Sequence, residues 1–210
     1  MLYLVKTPWW IRKWIYPNRL WKMPGGQKKI YLSFDDGPHP IATPFVLEEL
    51  KKYNAKASFF CIGKNVASHP EIYKRILTEG HAVGNHTQDH LNGGKTGDQP
   101  YFENIAKASR YIDSKLFRPP YGRLSSFQAK HAREKFDFTI VMWSVLSADF
   151  DTSITPQKCW ENVKKSVTDG SIIVFHDSEK ALDRMKFALT ELLPYFSSKG
   201  FVFEKLPQQI

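Results

Sequence analysis

The apolar positions of this chain fall into short runs rich in β-branched and aromatic residues. Between them lie longer stretches in which apolar residues recur every three or four positions. The first pattern predicts strands and the second amphipathic helices. Seven strands are predicted: Ile30–Phe34, Ala57–Ile62, Ala82–Asn85, Leu116–Arg118, Thr139–Ser144, Ser171–Phe175 and Phe201–Glu204. Thr43-Pro44 and Thr155-Pro156 each set a capping hydroxyl before a proline and predict helix starts, and Ser125 with Gln128 fits a capping box. In the last helix Leu182, Met185, Leu189, Leu192 and Leu193 form one stripe, which Pro194 ends or kinks.

Strands alternating with helices imply an α/β fold with a parallel sheet and right-handed crossovers. A full eight-fold barrel typically takes about 250 residues. Seven strands in 210 residues therefore predict a single domain built as an incomplete (β/α)7 barrel, with a doubly wound sheet as the alternative.

Charge divides the chain. Residues 1–34 hold Lys6, Arg12, Lys13, Arg19, Lys22, Lys28 and Lys29 and no acid, whereas the remainder balances 23 basic against 21 acidic residues. A basic stripe across a working surface would suit nucleic acid; a basic N-terminal arm on a near-neutral body does not, and no nucleic-acid partner is expected. The arm also holds Trp9, Trp10, Trp14 and Trp21. Between Pro8 and Pro17, Trp10, Ile11, Trp14 and Ile15 recur at helical spacing with Arg12 and Lys13 off that face. Residues 1–29 are expected to pack on the domain, with weak contact to a membrane surface through residues 1–24 as the other reading.

Lys6 interrupts the apolar start Met1–Val5 and no small-residue cleavage site follows, so no signal peptide is read; no run is long enough to span a bilayer. Cys61 and Cys159 each sit in an apolar segment and read as buried, reduced thiols. The expected location is cytoplasmic, peripheral to a membrane if the arm binds one.

Titratable residues collect where the strands end. Asp35-Asp36-Gly37-Pro38 follows the first strand and His86-Thr87-Gln88-Asp89-His90 the third. Arg118-Pro119-Pro120-Tyr121-Gly122 follows the fourth, Asp149 and Asp151 the fifth, and His176-Asp177 closes the sixth. In parallel barrels that end carries the active site. His86 and His90 are one helical turn apart. With one carboxylate from the Asp-Asp pair they would make a three-ligand site with an open position, the pattern of catalytic zinc; cobalt and nickel suit the same donors. The other aspartate, beside a cation, would stay ionised and could take a proton. Arg118 could pair with a carboxylate, Tyr121 or Gly122 could offer a backbone N–H to an oxyanion, and Asp149 could raise the pKa of His176 into the range for an acid. Asp89 is expected to face solvent.

The set Phe-Asp-Asp-Gly-Pro, His-Thr-x-x-His, Arg-Pro-Pro-Tyr-Gly and Phe-His-Asp resembles the polysaccharide deacetylases, carbohydrate esterase family four with its nodulation-protein deacetylase homology domain. The resemblance runs from about Ile30 to Leu206, within an expected catalytic domain of residues 30–206. It implies a distorted (β/α) barrel and metal-dependent hydrolysis of N-acetyl groups on glycans of the peptidoglycan or chitin kind. It implies Asp35 as base, Asp36, His86 and His90 as ligands of one divalent metal (zinc first, then cobalt or nickel), and Arg118 as brace of Asp35. It further implies the Tyr121 amide for the oxyanion, His176 as acid tuned by Asp149, and Pro120, Tyr121, Phe150 and Val174 around the substrate. Phe150 stands where the family usually has Trp, Leu146 where it has an earlier Asp, and Val174 where it has Leu. Asp151 competes with Asp149 for the tuning role. An O-acetyl esterase acting on xylan, or a deformylase of a lipid-linked sugar, is the alternative activity.

Overall fold

The computed structural model describes residues 3–209. Met1 and Leu2, which open the predicted apolar start of the arm, lie outside the described residues, as does Ile210. The strands are β1 (Lys29–Asp35), β2 (Ala57–Cys61), β3 (Ala82–Asn85), β4 (Leu116–Phe117), β5 (Thr139–Ile140), β6 (Val145–Leu146), β7 (Ile172–His176) and β8 (Val202–Phe203). The helices are α1 (Ala42–Lys52), α2 (Gly63–Ser68), α3 (Pro70–Thr78), α4 (Asp98–Ala108), α5 (Ser126–Phe136), α6 (Pro156–Ser166) and α7 (Leu182–Ser197). The strands pair in parallel in the order β5-β4-β3-β2-β1-β7-β6, with β8 beside the start of β1. The sheet curls into a half-barrel flanked by helices, the incomplete (β/α)7 barrel read from the sequence.

The predicted strand Thr139–Ser144 is broken, and its physical cause is the opening of the half-barrel. β5 and β6 lie at opposite edges of the sheet, so residues 141–144 must cross the gap between them. The N-terminal arm lines that gap with backbone hydrogen bonds. Leu20 donates to Ile140 O at 2.8 Å and accepts from Met142 at 2.7 Å; Val5 O accepts from Leu146 at 2.8 Å; Met23 donates to Gly170 O at 2.9 Å. Edge groups that would otherwise be left open are thereby paired. Of the arm's tryptophans, Trp21 is buried and donates its indole N–H to Tyr16 O, while Trp9, Trp10 and Trp14 face solvent.

Alternation along β1 sorts its side chains by face. Ile30, Leu32 and Phe34 enter the main core with residues of α1, α6 and α7, and Phe34 stacks between Phe59 and Phe175. Burial of each such ring contributes about 2 kcal/mol. Tyr31, Ser33 and Asp35 take the other face. The stripe of α7 is buried at Met185, Leu189, Leu192 and Leu193, and the helix runs through Pro194 to Ser197. Cys61 and Cys159 are buried and unpaired.

Capping was legible at two of three places. Thr155 accepts from Lys158 N, and Ser125 with Gln128 closes a capping box. Thr43 does not cap: α1 begins at Ala42, and the ring Nδ1 of His39 accepts the N–H groups of Ile41 and Ala42 instead. The Thr43 hydroxyl is drawn inward to accept from His39 N and donate to the buried Asp177.

Candidate metal centre and active site

Strand register sets the site. Asp35 pairs with His176 across β1 and β7, and Cys61 with Asn85 across β2 and β3. The residues that follow β1, β3 and β4 and those that close β7 are therefore brought to one end of the half-barrel, as the sequence predicted.

Asp36, His86 and His90 offer one ligand atom each, all within 4.8 Å of one another. Asp36 Oδ1 lies 3.2 Å from His90 Nε2 and 3.8 Å from His86 Nε2. The four-residue spacing of the histidines is not a helical turn. Residues 86–90 form a loop in which Thr87 and His90 take positive φ, and Asn85 Oδ1 accepts the Thr87 N–H. Asn104 Oδ1 accepts from both Gln88 and Asp89. The loop is shaped by side-chain acceptors rather than by a helical ladder, and Asp89 is exposed, bonded to Asn104.

His86 is buried and its Nδ1 lies 2.7 Å from Arg118 O. Proton donation to that carbonyl leaves the Nε2 lone pair facing Asp36. Burial, then the neighbouring His90, lowers the His86 pKa to about 3; burial also lowers that of His90. Both rings are thus neutral, as metal ligation requires. Asp36 Oδ1 is buried with no hydrogen-bond donor among the described residues. A buried carboxylate oxygen without a partner is costly, and a divalent cation held between it and the two imidazoles satisfies it. The donor set fits the implied ion.

Arg118 is fully buried inside the half-barrel. Its guanidinium donates to Asp35 Oδ1 at 2.7 Å, Ser33 Oγ at 2.8 Å, Val141 O at 3.2 Å and Met142 O at 3.0 Å, and it lies over the Phe60 ring. Three acceptors besides Asp35 fix the guanidinium, which in turn holds the Asp35 carboxylate in one orientation, its Oδ2 facing His86 Nε2 at 4.0 Å.

On the other flank His176 Nδ1 sits 2.7 Å from Asp149 Oδ1, and His176 N donates to Asp149 Oδ2. Burial opposes charge on the ring, but the Asp149 charge and hydrogen bond, with Asp36 and Asp35, raise its pKa to about 10. Asp151 turns away to accept from Tyr3 and Ser153. Phe150 meets the His176 ring edge-on at 5.3 Å. Val174 is buried on β7 two positions before His176, on the same face of the strand. Pro120 is buried at the start of the turn, whereas the Tyr121 ring is exposed and meets His90 at 4.6 Å. Tyr121 takes φ 60°, and of the two amides read from the sequence that of Gly122 is committed to Pro119 O.

Asp177 received no role from the sequence. It is fully buried and accepts from Gly37 N at 3.0 Å and from Thr43 Oγ1, while its own N–H donates to Asp35 O. A Cβ added to Gly37 would collide with this carboxylate. Asn65 Nδ2 donates to Asp36 O at 2.7 Å. Together these fix the backbone that carries Asp35 and Asp36, with Asp36 at φ 83°. The only sequence signal was the adjacency of Asp177 to His176.

A sequence model of the family described as polysaccharide deacetylase matches residues 22–141. A peptidoglycan-N-acetylglucosamine deacetylase of Bacillus cereus is 35% identical over 209 residues, covering 96% of this chain and 74% of that protein. The chain belongs to the polysaccharide deacetylase family. A chitooligosaccharide deacetylase of Azorhizobium caulinodans is 33% identical, covering 86% of this chain and 94% of its own length. Among solved structures, a peptidoglycan N-acetylglucosamine deacetylase in complex with 4-naphthalen-1-yl-N-oxidanyl-benzamide superposes with a TM-score of 0.86 at 34% identity, covering 97% of both chains. The family match stops before Asp149 and His176; the longer relatives and the solved polysaccharide deacetylase extend across them.

Proposed function

We propose that this enzyme hydrolyses N-acetyl groups on N-acetylglucosamine-containing glycans of the peptidoglycan or chitin kind. The observation that carries this reading is the unpartnered Asp36 Oδ1 facing two neutral imidazoles, with an arginine-braced carboxylate on one side and an aspartate-held histidine on the other. Asp36, His86 and His90 would hold one divalent ion, zinc by donor type, with cobalt or nickel admissible. Bound there, it supplies Lewis acidity toward the acetamide carbonyl and water.

The chain's own residues do the rest. Asp35, oriented by Arg118, accepts a proton from the attacking water. The Tyr121 N–H donates to the developing oxyanion. His176 gives its proton to the departing sugar nitrogen as the C–N bond breaks, releasing acetate and a free amine. Phe150, Pro120 and Val174 wall the acetyl end. A groove lined by Tyr16, Arg19, Gly93, Gly122 and Arg123 continues from the Tyr121 turn and suits neighbouring sugars.

The test is acetate release from N-acetylglucosamine oligomers and from peptidoglycan, against acetylated xylan and an N-formyl sugar. Release from the first pair at a kcat/KM well above the others supports the reading. Preference for xylan or the formyl sugar replaces it with ester or formyl hydrolysis.

A further inference from the structure

The reaction leaves one conspicuous surface unused. Trp9, Trp10 and Trp14 are 61%, 48% and 70% exposed, with Leu4 and Ile15 exposed in the same segment. The helical turn Ile11–Ile15 buries none of its residues. Soluble surfaces seldom display so much apolar area in one place without a partner. The segment is also cationic: Lys6, Arg12, Lys13, Arg19 and Lys22 lie within it, and the first acid of the chain is Asp35. Lys13 Nζ lies over the Trp14 ring at 5.9 Å. Beyond its burial, Lys22 feels the positive charges of Arg12 and Lys6 and the opposing charge of Asp169.

The segment is presented rigidly. Lys6 bridges to Val145, Leu20 to Val141 and Lys22 to Ser171, and Ile11 packs against the core. The indoles between these anchor points stand on the folded body.

We infer that this face docks on an anionic phospholipid bilayer, with Trp9, Trp10 and Trp14 at headgroup level and the neighbouring lysines and arginines against lipid phosphates. Indoles favour the bilayer interface, and clustered basic residues are drawn to anionic leaflets. A second copy of the chain fits poorly, because two such faces would oppose like charge. A sugar polymer fits poorly too, because Leu4 and Ile15 offer nothing to hydroxyl groups. Of these residues Arg19 also lines the groove proposed for neighbouring sugars, whereas the three indoles do not.

The full chain would be sedimented with vesicles of phosphatidylglycerol and phosphatidylcholine, and with phosphatidylcholine alone. Binding to the anionic vesicles is expected, weakened at least about tenfold by neutral lipid or high salt. The triple variant Trp9→Ser, Trp10→Ser, Trp14→Ser should lose binding to a similar degree while acetate release from soluble chitooligosaccharides is unchanged. Independently of any variant, brominated lipid should quench the wild-type indole emission. No pelleting with anionic vesicles, equal binding to neutral ones, an unaffected triple variant, absent quenching, or retention by wall polymer alone would each overturn the inference.

Discussion

The carboxylate of Asp149 grips His176 twice, with Oδ1 2.7 Å from the ring Nδ1 and Oδ2 accepting the backbone N–H at 2.7 Å. Asp149 is itself fully buried, and its carbonyl accepts from Arg184. The pair fixes which ring nitrogen faces the site: Nδ1 is taken, so Nε2 carries the mobile proton.

Asp149→Asn removes the charge that overcomes burial at His176. The ring pKa should fall, and the alkaline limb of the kcat/KM profile should move to lower pH, with a rate loss of about a hundredfold near neutrality. Stability responds too. In chelated protein the raised His176 pKa adds stability that is fully present below the ordinary histidine value. That stability fades as pH rises toward about 10. Thermal melts across that window should show the decline in the wild type and a flatter profile in the variant.

The metal ligands have the opposite sign. His86 and His90 have lowered pKa values, so protons compete for them only in acid. Bound metal should therefore persist below the pH at which ordinary imidazoles become protonated. Release should begin only on further acidification. Metal content after dialysis at stepped pH measures this.

Asp35→Asn keeps an acceptor for Arg118 but cannot take a proton. Turnover should drop by about a thousandfold or more while metal content is unchanged. Arg118→Lys loses the fork that reaches Asp35, Ser33 and two backbone carbonyls, and should destabilise the fold by about 3 kcal/mol. Chemical denaturation read beside acetate release separates the two effects.

Gly37→Ala drives a methyl group into the Asp177 carboxylate and shifts the Asp36 backbone. Metal affinity should fall about ten- to a hundredfold, as for loss of a supporting hydrogen bond to a ligand. Asp177→Ala leaves the buried Gly37 N–H and Thr43 hydroxyl without their acceptor and should lower stability by about 2 kcal/mol. Competition with a chromogenic chelator reports the affinity.

The fold was legible where side chains announce it. Seven strands could be read because their apolar runs are contiguous. The break between β5 and β6 could not, because Val141 and Met142 are as apolar as a strand, yet they cross the barrel opening. His86 and His90 could be paired from spacing, but their loop depends on Asn85 and Asn104, whose amides look like any polar residue in sequence. Thr43 carries the local signature of a cap; a carboxylate 134 positions away claims its hydroxyl instead. Arg118 finding Asp35 across 83 positions is likewise a product of register and could be anticipated only through the resemblance.

The central claim is that one cation held by Asp36, His86 and His90 is required for hydrolysis, and metal stoichiometry measured beside acetate release tests it most directly. Purified wild type should carry one ion per chain, lose activity on chelation and regain it with zinc, while Asp36→Ala should carry no ion and stay inactive when zinc is added. Full activity in the chelated wild type, or undiminished metal affinity in Asp36→Ala, would contradict the account.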